Sequence, residues 1–255
     1  MLSLVHLNKS FPLTDRSNTI LFKNLEFSID TGEFAVLLGS NGSGKSTLLK
    51  LIAGFLSPDS GSIILEGLDI TKQPAFKRAE SIYYLHQTRE QNLSPSITVL
   101  DAYMIGLAPN NGLLQILNPK SWKEEVIHIL SQFNLGLQSK IDQQIKTLSG
   151  GEHQLIALSL IVERAKRKMN ANPILLLDEH TAHLDARMSD IVMDITNRLI
   201  KENKITTLMV THNLFIARDF GDKTYFLNEG EISLINKSDI LNLFDKRSAE
   251  FHHDN

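Results

Sequence analysis

The amino-acid sequence predicts an α/β fold that contains parallel strands. An uninterrupted apolar run at 34–38 is followed directly by a glycine-rich turn and then by a helix-forming segment. Farther along, strand-type residues at 174–177, a helix-type segment at 188–200 and strand-type residues at 205–210 follow one another. Two strands joined by a helix in this way pair in parallel through a right-handed crossover. Both patterns are typical of a sheet that helices cover on its two faces.

The N-terminal part of the chain favours strands and one short helix. Residues 1–6 predict a strand, since no basic region precedes a long apolar stretch as it would in a secretory signal. Apolar and polar residues alternate over 25–29, which predicts a half-buried strand. A helix is expected over 47–53 and should stop at Gly54. Residues 63–65 predict a further strand.

The middle of the chain, about 87–148, has a different character. Prolines such as Pro95 punctuate it, and the apolar residues of 122–133 recur at helical spacing. We expect a mostly helical insert there. A long helix is then predicted over 151–168, because its apolar residues fall on one face.

Composition limits the class of protein. The chain has 255 residues, of which 42% are hydrophobic and 22% charged, and its formal net charge is −3. These values are ordinary for a globular protein, and without a basic stripe we expect no nucleic-acid partner. The absence of cysteine excludes disulfides and thiolate metal sites, which suits a reducing cytoplasm. No apolar run reaches the ~18–20 residues that cross a bilayer, so another chain should do any crossing.

The glycine-rich turn has the pattern G-x-x-x-x-G-K-S of a phosphate-binding loop. Its residues are Gly39, Ser40, Asn41, Gly42, Ser43, Gly44, Lys45 and Ser46, followed by Thr47. A strand precedes the turn and a helix follows it, as this motif requires. Glycines let several N–H groups face one anion, Lys45 should reach the β- and γ-phosphates of a nucleotide, and Ser46 should ligate Mg²⁺. The loop by itself does not distinguish kinases, GTPases and other ATPases.

Further motifs resemble those of the ATP-binding-cassette (ABC) ATPases. They are LSGGE at 148–152, LLLDE at 175–179, AHLD at 182–185, VTH at 210–212, Gln87 and Phe11. With the phosphate loop they follow the family's order and cover nearly the whole chain. The resemblance implies one cassette domain over 1–255, with a RecA-like α/β core and an N-terminal antiparallel β layer. It also implies a helical lobe at roughly 88–150.

The resemblance also implies roles for four residues around the reacting phosphate. Asp178 should hold Mg²⁺ or its water, and Glu179 should orient or deprotonate the attacking water. His212 should sense the γ-phosphate, and Gln87 should contact the metal and the water. Two alternatives stay open: the adjacent acids of a solvated strand end, and a histidine that only caps or packs.

A second group of residues should act across a dimer, as the family implies. Ser149, Gly150 and Gly151 open a helix and should meet the ATP that the other subunit holds. Asp185 should help to bridge the two ATP sites. The alternative is an ordinary helix N-cap before Ala186, and both roles could hold together. Phe11 should stack on adenine, the alternative being a core aromatic.

Several positions depart from the family pattern. Glu152 replaces the usual glutamine of the signature, and His180 replaces the proline that usually follows the catalytic glutamate. Together with His183 it raises the hypothesis of a metal site, which lacks a third ligand. The basic stretch 166–168 is interpreted as a solvated helix end, with contact to anionic lipid or to a partner as the alternative. The segment 12–19 is longer than usual.

The resemblance favours the ATPase of a transporter, lying on the cytoplasmic face of a membrane. The expected partners are a second copy of the chain, a membrane permease and a solute-binding protein. The residues 178–182 and 211–213 resemble the importer subgroup that pairs with permeases of the branched-chain amino-acid type, so a small solute such as an amino acid is expected. ATP and Mg²⁺ are the implied cofactors.

Two other classes compete with the importer. The first is a soluble mechanical ATPase for DNA repair or translation. The repair type would need a long coiled coil between Gln87 and the signature, and that stretch is too short; the translation type carries two cassettes in one chain. An ATPase of an export, lipoprotein-release or cell-division complex would look much the same in sequence. The neighbouring membrane protein would discriminate between them.

Overall fold

The computed structural model describes residues 1–12, 18–108, 119–167, 172–236 and 238–240. They divide into two compact units. The first comprises Met1–Tyr84, Asn172–Glu179 and the described residues from Lys204 onward. The second comprises His180–Asn203 and the described residues of Leu85–Ala171.

The secondary structure alternates between strands and helices. The strands are β1 (Leu2–Pro12), β2 (Asn18–Ile29), β3 (Phe34–Gly39), β4 (Ser60–Leu65), β5 (Leu68–Asp69), β6 (Ile82–Leu85), β7 (Ile174–Asp178), β8 (Thr206–Thr211), β9 (Lys223–Asn228) and β10 (Glu231–Ile235). The helices are α1 (Lys45–Ala53), α2 (Ala75–Arg78), α3 (Val99–Leu107), α4 (Pro119–Ser131), α5 (Gly150–Arg167), α6 (Ala186–Asn203) and α7 (Leu214–Asp219). Short 3₁₀ helices cover Arg89–Gln91, Leu137–Lys140 and Ile145–Thr147.

The predicted elements are present, with shifted ends. β2 contains the predicted alternation, because Leu25, Phe27 and Ile29 are buried while the residues between them are exposed. The N-terminal strand runs on to Pro12, well past the predicted residue 6. α4 ends at Ser131, before the predicted residue 133. The predicted end of the long helix, Lys168, lies outside the described residues, as do residues 13–17 of the long N-terminal segment.

The first unit holds two sheets. Four antiparallel strands, in the order β2-β1-β4-β5, form the predicted N-terminal layer. Six strands, in the order β10-β9-β3-β8-β7-β6, form the central sheet. β7 and β8 pair in parallel, which confirms the predicted βαβ unit. A buried core of aliphatic and aromatic side chains joins the antiparallel layer, α1 and strands of the central sheet.

The central sheet brings three chain segments to one edge. Within it β3 pairs in parallel with β8, where Leu38 lies opposite Thr211, and β8 pairs with β7, where Asp178 lies opposite Val210. The carboxyl ends of the three strands therefore coincide. The loops that follow β3, β7 and β8 start side by side at this edge, which is where open α/β sheets bind ligands.

Helix α1 carries the phosphate loop's lysine and serine and is fixed at its far end. Gly54 ends it in a left-handed conformation with φ 82°. The Arg78 guanidinium, 3% exposed, donates to the carbonyl oxygens of Leu51 at 2.8 Å and Ile52 at 2.9 Å. Terminal helix carbonyls lack partners within the helix, so this buried arginine satisfies two of them.

The second unit is helical. α3 begins with a capping box in which Thr98 and Asp101 exchange side-chain and backbone hydrogen bonds. Tyr103 on α3 is fully buried and bonds to Ser159 on α5. None of the helices that the structure describes combines the length and apolar character needed to cross a bilayer.

Candidate functional site

The predicted phosphate loop joins β3 to α1. It contains two glycines in the left-handed region: Gly42, with φ 82°, and Gly44, with φ 103°, which directly precedes α1. A side chain would be strained at both positions. The loop delivers the chain directly into the N-terminus of α1, where free N–H groups and the helix dipole favour an anion.

The lysine of the loop is buried and folded back onto the loop. Lys45 is 6% exposed, and its Nζ donates to the carbonyl oxygens of Gly39 and Ser40, each at 2.9 Å. The ammonium is thereby held at the centre of the loop rather than extended into solvent. Phosphate oxygens would find a positive charge already in place.

The loop's shape fits a phosphate group. A Cβ on Gly39 would lie 2.7 Å from Ser43 Oγ and 2.8 Å from the Leu227 carbonyl, so only glycine fits there. Ser43 Oγ is buried and has no hydrogen-bond partner among the described residues. A buried hydroxyl left unpaired is costly, and a phosphate oxygen would satisfy it.

Oxygen ligands suitable for Mg²⁺ lie beside the loop. Ser46 Oγ, on the first turn of α1, donates to Asp178 Oδ1 at 2.8 Å. Asp178 ends the fully buried strand β7 and is itself 5% exposed. One hydroxyl and one carboxylate are few ligands, which suits an ion that keeps waters and takes its remaining oxygens from nucleotide phosphates. The residues present therefore fit Mg²⁺ bound together with ATP.

The sequence did not point to Tyr84, which completes this group. Its hydroxyl donates to Asp178 Oδ2 at 2.6 Å, so both carboxylate oxygens are engaged. Tyr84 lies on β6, the strand next to β7 at the edge of the central sheet. Its only signal in the sequence is a position three residues before Gln87.

Glu179 and His212 meet at the same edge. His212 Nδ1 lies 3.0 Å from Glu179 Oε1, and the Glu179 N–H donates to the Val210 carbonyl at 3.1 Å. Glu179 has φ 45°, a left-handed conformation that costs a residue with a side chain ~1 kcal/mol or more. That turn places the glutamate side chain against the histidine that follows β8. A carboxylate held in this way is suited to accept a proton from water.

Phe11 lies on the surface. It is 38% exposed, and Lys9 Nζ stands 5.2 Å from the centre of its ring. The alternative of a core aromatic is therefore wrong, and an exposed ring on β1 is available for stacking on a base.

Gln87 belongs to the second unit. It is half-buried in the bend after β6. The preceding residue is clamped, because His86 N–H donates to Asn92 Oδ1 at 2.7 Å and Asn92 Nδ2 donates to the His86 carbonyl at 2.9 Å. Asn92, which the sequence did not single out, thus fixes the start of the segment that carries Gln87.

The signature residues open α5, as predicted. Ser149 is exposed just before the helix, and its backbone N–H donates to Glu152 Oε2 at 2.9 Å. Lys140 Nζ lies 2.6 Å from the other oxygen of Glu152. Burial raises the pKa of Glu152, but the hydrogen bonds from Lys140 and Ser149 outweigh it and lower that pKa. The glutamate that replaces the usual glutamine is thus a charged cap of the signature helix.

Asp185 caps α6 in the second unit. Its Oδ1 accepts from the Met188 N–H at 2.9 Å, so the helix N-cap is observed. The Met188 side chain packs on the signature helix, because a Cβ on Gly151 would lie 2.3 Å from Met188 Cγ. A Cβ on Gly150 would lie 2.9 Å from Leu184. The signature glycines therefore let α5 contact Leu184, just before Asp185, and Met188, three residues after it.

This contact makes Gly151→Ala a destabilising change. The added methyl group overlaps Met188 and should lower the free energy of unfolding by about 1–3 kcal/mol. Met188→Ala removes the opposing atoms, so the double variant Gly151→Ala/Met188→Ala should recover most of the loss. Urea unfolding followed by circular dichroism measures all three variants. If Gly151→Ala and Gly151→Ala/Met188→Ala were equally stable, overlap with Met188 would not be the cause of the loss.

The hypothesis of a histidine metal site is not supported. His180 is buried, and its Nε2 lies 3.2 Å from Thr196 Oγ1. Thr196 itself donates to the Val192 carbonyl, so His180 is the donor in that pair. His183 is exposed, and the described residues contain no group of three or more His, Cys, Asp or Glu that could hold a metal ion.

Two cations of the basic stretch are paired within the second unit. Lys166 Nζ lies 2.7 Å from Glu163 Oε1. The Arg167 guanidinium pairs with Glu125 and stands 5.4 Å from the centre of the Trp122 ring. These pairs favour the interpretation as a helix end over a lipid contact, while Lys168 lies outside the described residues.

The buried His180 predicts acid sensitivity. Burial lowers its pKa to about 4, from about 6.5 in the unfolded chain, so the unfolded state binds more protons between those values. The stability from neutral His180 is fully present above pH 6.5 and is lost as pH falls towards 4, up to about 3 kcal/mol. His180→Gln should therefore flatten the pH dependence of the urea midpoint between pH 7.5 and 5. An unchanged slope would contradict the prediction. His153, whose pKa burial also lowers to about 4, accounts for part of the remaining slope.

Known proteins of one family resemble this chain. Residues 22–182 match the family described as ABC transporter. A tyrosine transport ATP-binding protein of Clostridioides difficile is 38% identical over 238 residues, which cover 92% of this chain and 91% of that protein. The thiamine import ATP-binding protein ThiQ of Brucella abortus is 35% identical over 210 residues, covering 82% of this chain and 80% of the relative.

Solved structures show the same fold. The cbiO1 subunit from Clostridium perfringens, part of the ABC transporter complex cbiONQ, superposes with a TM-score of 0.75 at 27% identity, covering 94% of this chain and 90% of that one. The cassette MJ0796, solved as a dimer bound to ADP and Pi, gives a TM-score of 0.75 at 24% identity, covering 92% and 99%.

The chain therefore belongs to the ABC transporter family. It is an ATPase of the cassette type and an ATP-binding subunit of a transporter.

Proposed function

We propose that the chain hydrolyses ATP to drive a separate membrane permease that imports an amino acid. The observation that carries the hydrolysis is the arrangement at the carboxyl ends of β7 and β8. There Asp178 faces Ser46, and Glu179 is held by His212 at 3.0 Å. The transport half rests on relatives, since the tyrosine transport protein shares 38% identity over 92% of this chain.

Binding begins at the phosphate loop. The backbone N–H groups before α1, together with Lys45, would hold the β- and γ-phosphates, and Ser43 would donate its unpaired hydroxyl. The exposed ring of Phe11 would stack on the adenine. Thr47 continues the first turn of α1 beside Ser46, where it supports the phosphate-facing end of the helix.

Ser46 and Asp178 would hold Mg²⁺. The ion would supply a Lewis acid that draws negative charge from the phosphate oxygens. Glu179 orients the attacking water and accepts its proton. His212 fixes the carboxylate and lies where it can register the γ-phosphate.

Hydrolysis in this proposal requires two copies of the chain. Ser149, Gly150 and Gly151 stand at the N-terminus of an 18-residue helix, and the anion that this end would meet is the γ-phosphate bound by the other copy. Asp185, at the start of α6, would contribute to the same interface. Closing of the dimer around two ATP molecules and its reopening after hydrolysis would be passed to the permease. The chain would then lie on the cytoplasmic face of the membrane.

Co-purification tests the transport half. The chain should be extracted from its native membranes in mild detergent and its partners identified by mass spectrometry. A multi-span permease, together with a solute-binding protein, is the expected result, and the complex in liposomes should accumulate labelled tyrosine when supplied with ATP. A membrane partner with a large periplasmic domain would instead identify an export or mechanotransducing complex. Uptake of a labelled vitamin but not of an amino acid would contradict the proposed solute.

A further inference from the structure

We infer that Tyr84 is a positioning residue for the metal-binding carboxylate, because its hydroxyl fixes which oxygen of Asp178 faces Ser46. The inference rests on the proposed metal site at Ser46 and Asp178. Tyr84 touches neither nucleotide nor water in this scheme and acts on the metal site through the aspartate.

The two carboxylate oxygens of Asp178 have different partners. Oδ1 accepts from Ser46 Oγ at 2.8 Å, and Oδ2 accepts from the Tyr84 hydroxyl at 2.6 Å. Ser46 is the hydroxyl beside Lys45 on the phosphate loop, so Oδ1 is the oxygen on the ligand side. Tyr84 occupies Oδ2 and prevents the carboxylate from rotating.

The hydrogen bond from Tyr84 to Asp178 is short. A distance of 2.6 Å is typical of a hydroxyl that donates to an ionised carboxylate, the stronger class of hydrogen bond. A phenol is ordinarily protonated at neutral pH and so is the donor in this pair, because an ionised carboxylate can only accept. Asp178 is 5% exposed, and water competes poorly for its oxygens there.

The ring of Tyr84 is itself held in place by an aromatic neighbour. Its ring lies 5.8 Å, centre to centre, from the ring of Phe55, which follows the Gly54 end of α1. Tyr84 is thus linked to α1 at both ends: by its ring at the C-terminus, and through Asp178 to Ser46 at the N-terminus. Partners of this kind, which orient a metal ligand, usually change metal affinity by 10–100-fold when they are removed.

Tyr84→Phe is the test, with metal affinity as the readout. The affinity of the ATP-bound protein for Mn²⁺, measured by electron paramagnetic resonance, should fall about 10-fold. The Mg²⁺ concentration that half-saturates hydrolysis should rise by a similar factor, while ATP affinity in EDTA stays unchanged. A change that only loosened the fold would weaken ATP binding in EDTA as well.

Tyr225→Phe provides the matched control. Tyr225 lies on β9 and donates to Glu33 Oε1 at 3.3 Å, at the end of β3 opposite the phosphate loop. It loses the same kind of hydrogen bond on the same sheet and should keep the native Mn²⁺ affinity.

Asp178→Asn distinguishes failure of the proposed metal site from failure of the inference about Tyr84. If this variant leaves Mn²⁺ affinity unchanged, the proposed metal site itself is wrong. If it weakens Mn²⁺ binding while Tyr84→Phe does not, the metal site stands and the inference about Tyr84 is overturned. If both weaken it, Tyr84→Phe should have no further effect in the Asp178→Asn background, because the tyrosine acts through the aspartate.

Discussion

Glu179→Gln is expected to stop ATP turnover while leaving ATP binding intact. Glutamine has the same shape and still accepts a hydrogen bond from His212, but its amide cannot take a proton from water. Loss of a general base typically costs ~10²–10⁴-fold in rate. Binding should survive, because Lys45, Ser43 and the N-terminus of α1 form the phosphate cradle without Glu179. The protein should therefore accumulate as an ATP-bound dimer.

Phosphate release measures the turnover, and light scattering after gel filtration in ATP measures the dimer. Glu229→Gln is the matched control: Glu229 is exposed in the turn between β9 and β10 and also has a left-handed backbone, with φ 48°. That variant should turn over ATP normally and should not accumulate as a dimer. Normal turnover in Glu179→Gln would refute the assignment of the glutamate as the base.

Lys45→Ala is expected to weaken nucleotide binding itself. The variant loses a buried ammonium that, in the proposed function, faces the phosphates. It also loses the two hydrogen bonds to the carbonyl oxygens of Gly39 and Ser40 in the loop. Hydrogen bonds to charged groups contribute about 1.5–3 kcal/mol, which corresponds to roughly 10- to 100-fold in affinity. Titration with a fluorescent ATP analogue measures the change.

Lys50→Ala controls for the loss of a lysine from the same helix. Lys50 is exposed in the last turn of α1, at the end away from the phosphate loop. Its removal should leave nucleotide affinity unchanged. If Lys45→Ala bound ATP as tightly as Lys50→Ala, the cradle around Lys45 would not be the phosphate site.

Much of the fold follows from local patterns. The continuous burial of β3 and β7, and the alternation along β2, appear in the sequence as an unbroken apolar run and as a period of two. Gly54 marks the end of α1 because a left-handed C-cap strongly favours glycine. The phosphate-loop motif and the two acids at the end of β7 could be recognised in the sequence because each depends on short spacings within one segment.

Residues that act through distant contacts could not be predicted in this way. Tyr84 meets Asp178, and Arg78 meets the end of α1, only after strands far apart in the sequence have paired. In the sequence Met188 is an apolar residue at helical spacing, and only the fold shows that Gly151 packs closely against it. The division of the chain into two compact units, with residues of α6 and α5 in the second, likewise depends on contacts between separate segments. The assignment of a single domain over 1–255 stays a prediction.

The order of the central sheet has a consequence for synthesis on the ribosome. β3, the strand that leads into the phosphate loop, pairs only with β8 and β9 among the described strands. Phe34 therefore cannot pair until Thr207, its partner on β8, has been synthesised. Until the ribosome has passed Thr211, a nascent chain would carry a fully apolar strand with both edges open. Such an edge is a template for wrong pairing, and contacts this distant form slowly. The newly made chain should therefore depend on chaperones throughout most of its translation, and premature termination before β8 should yield fragments that aggregate.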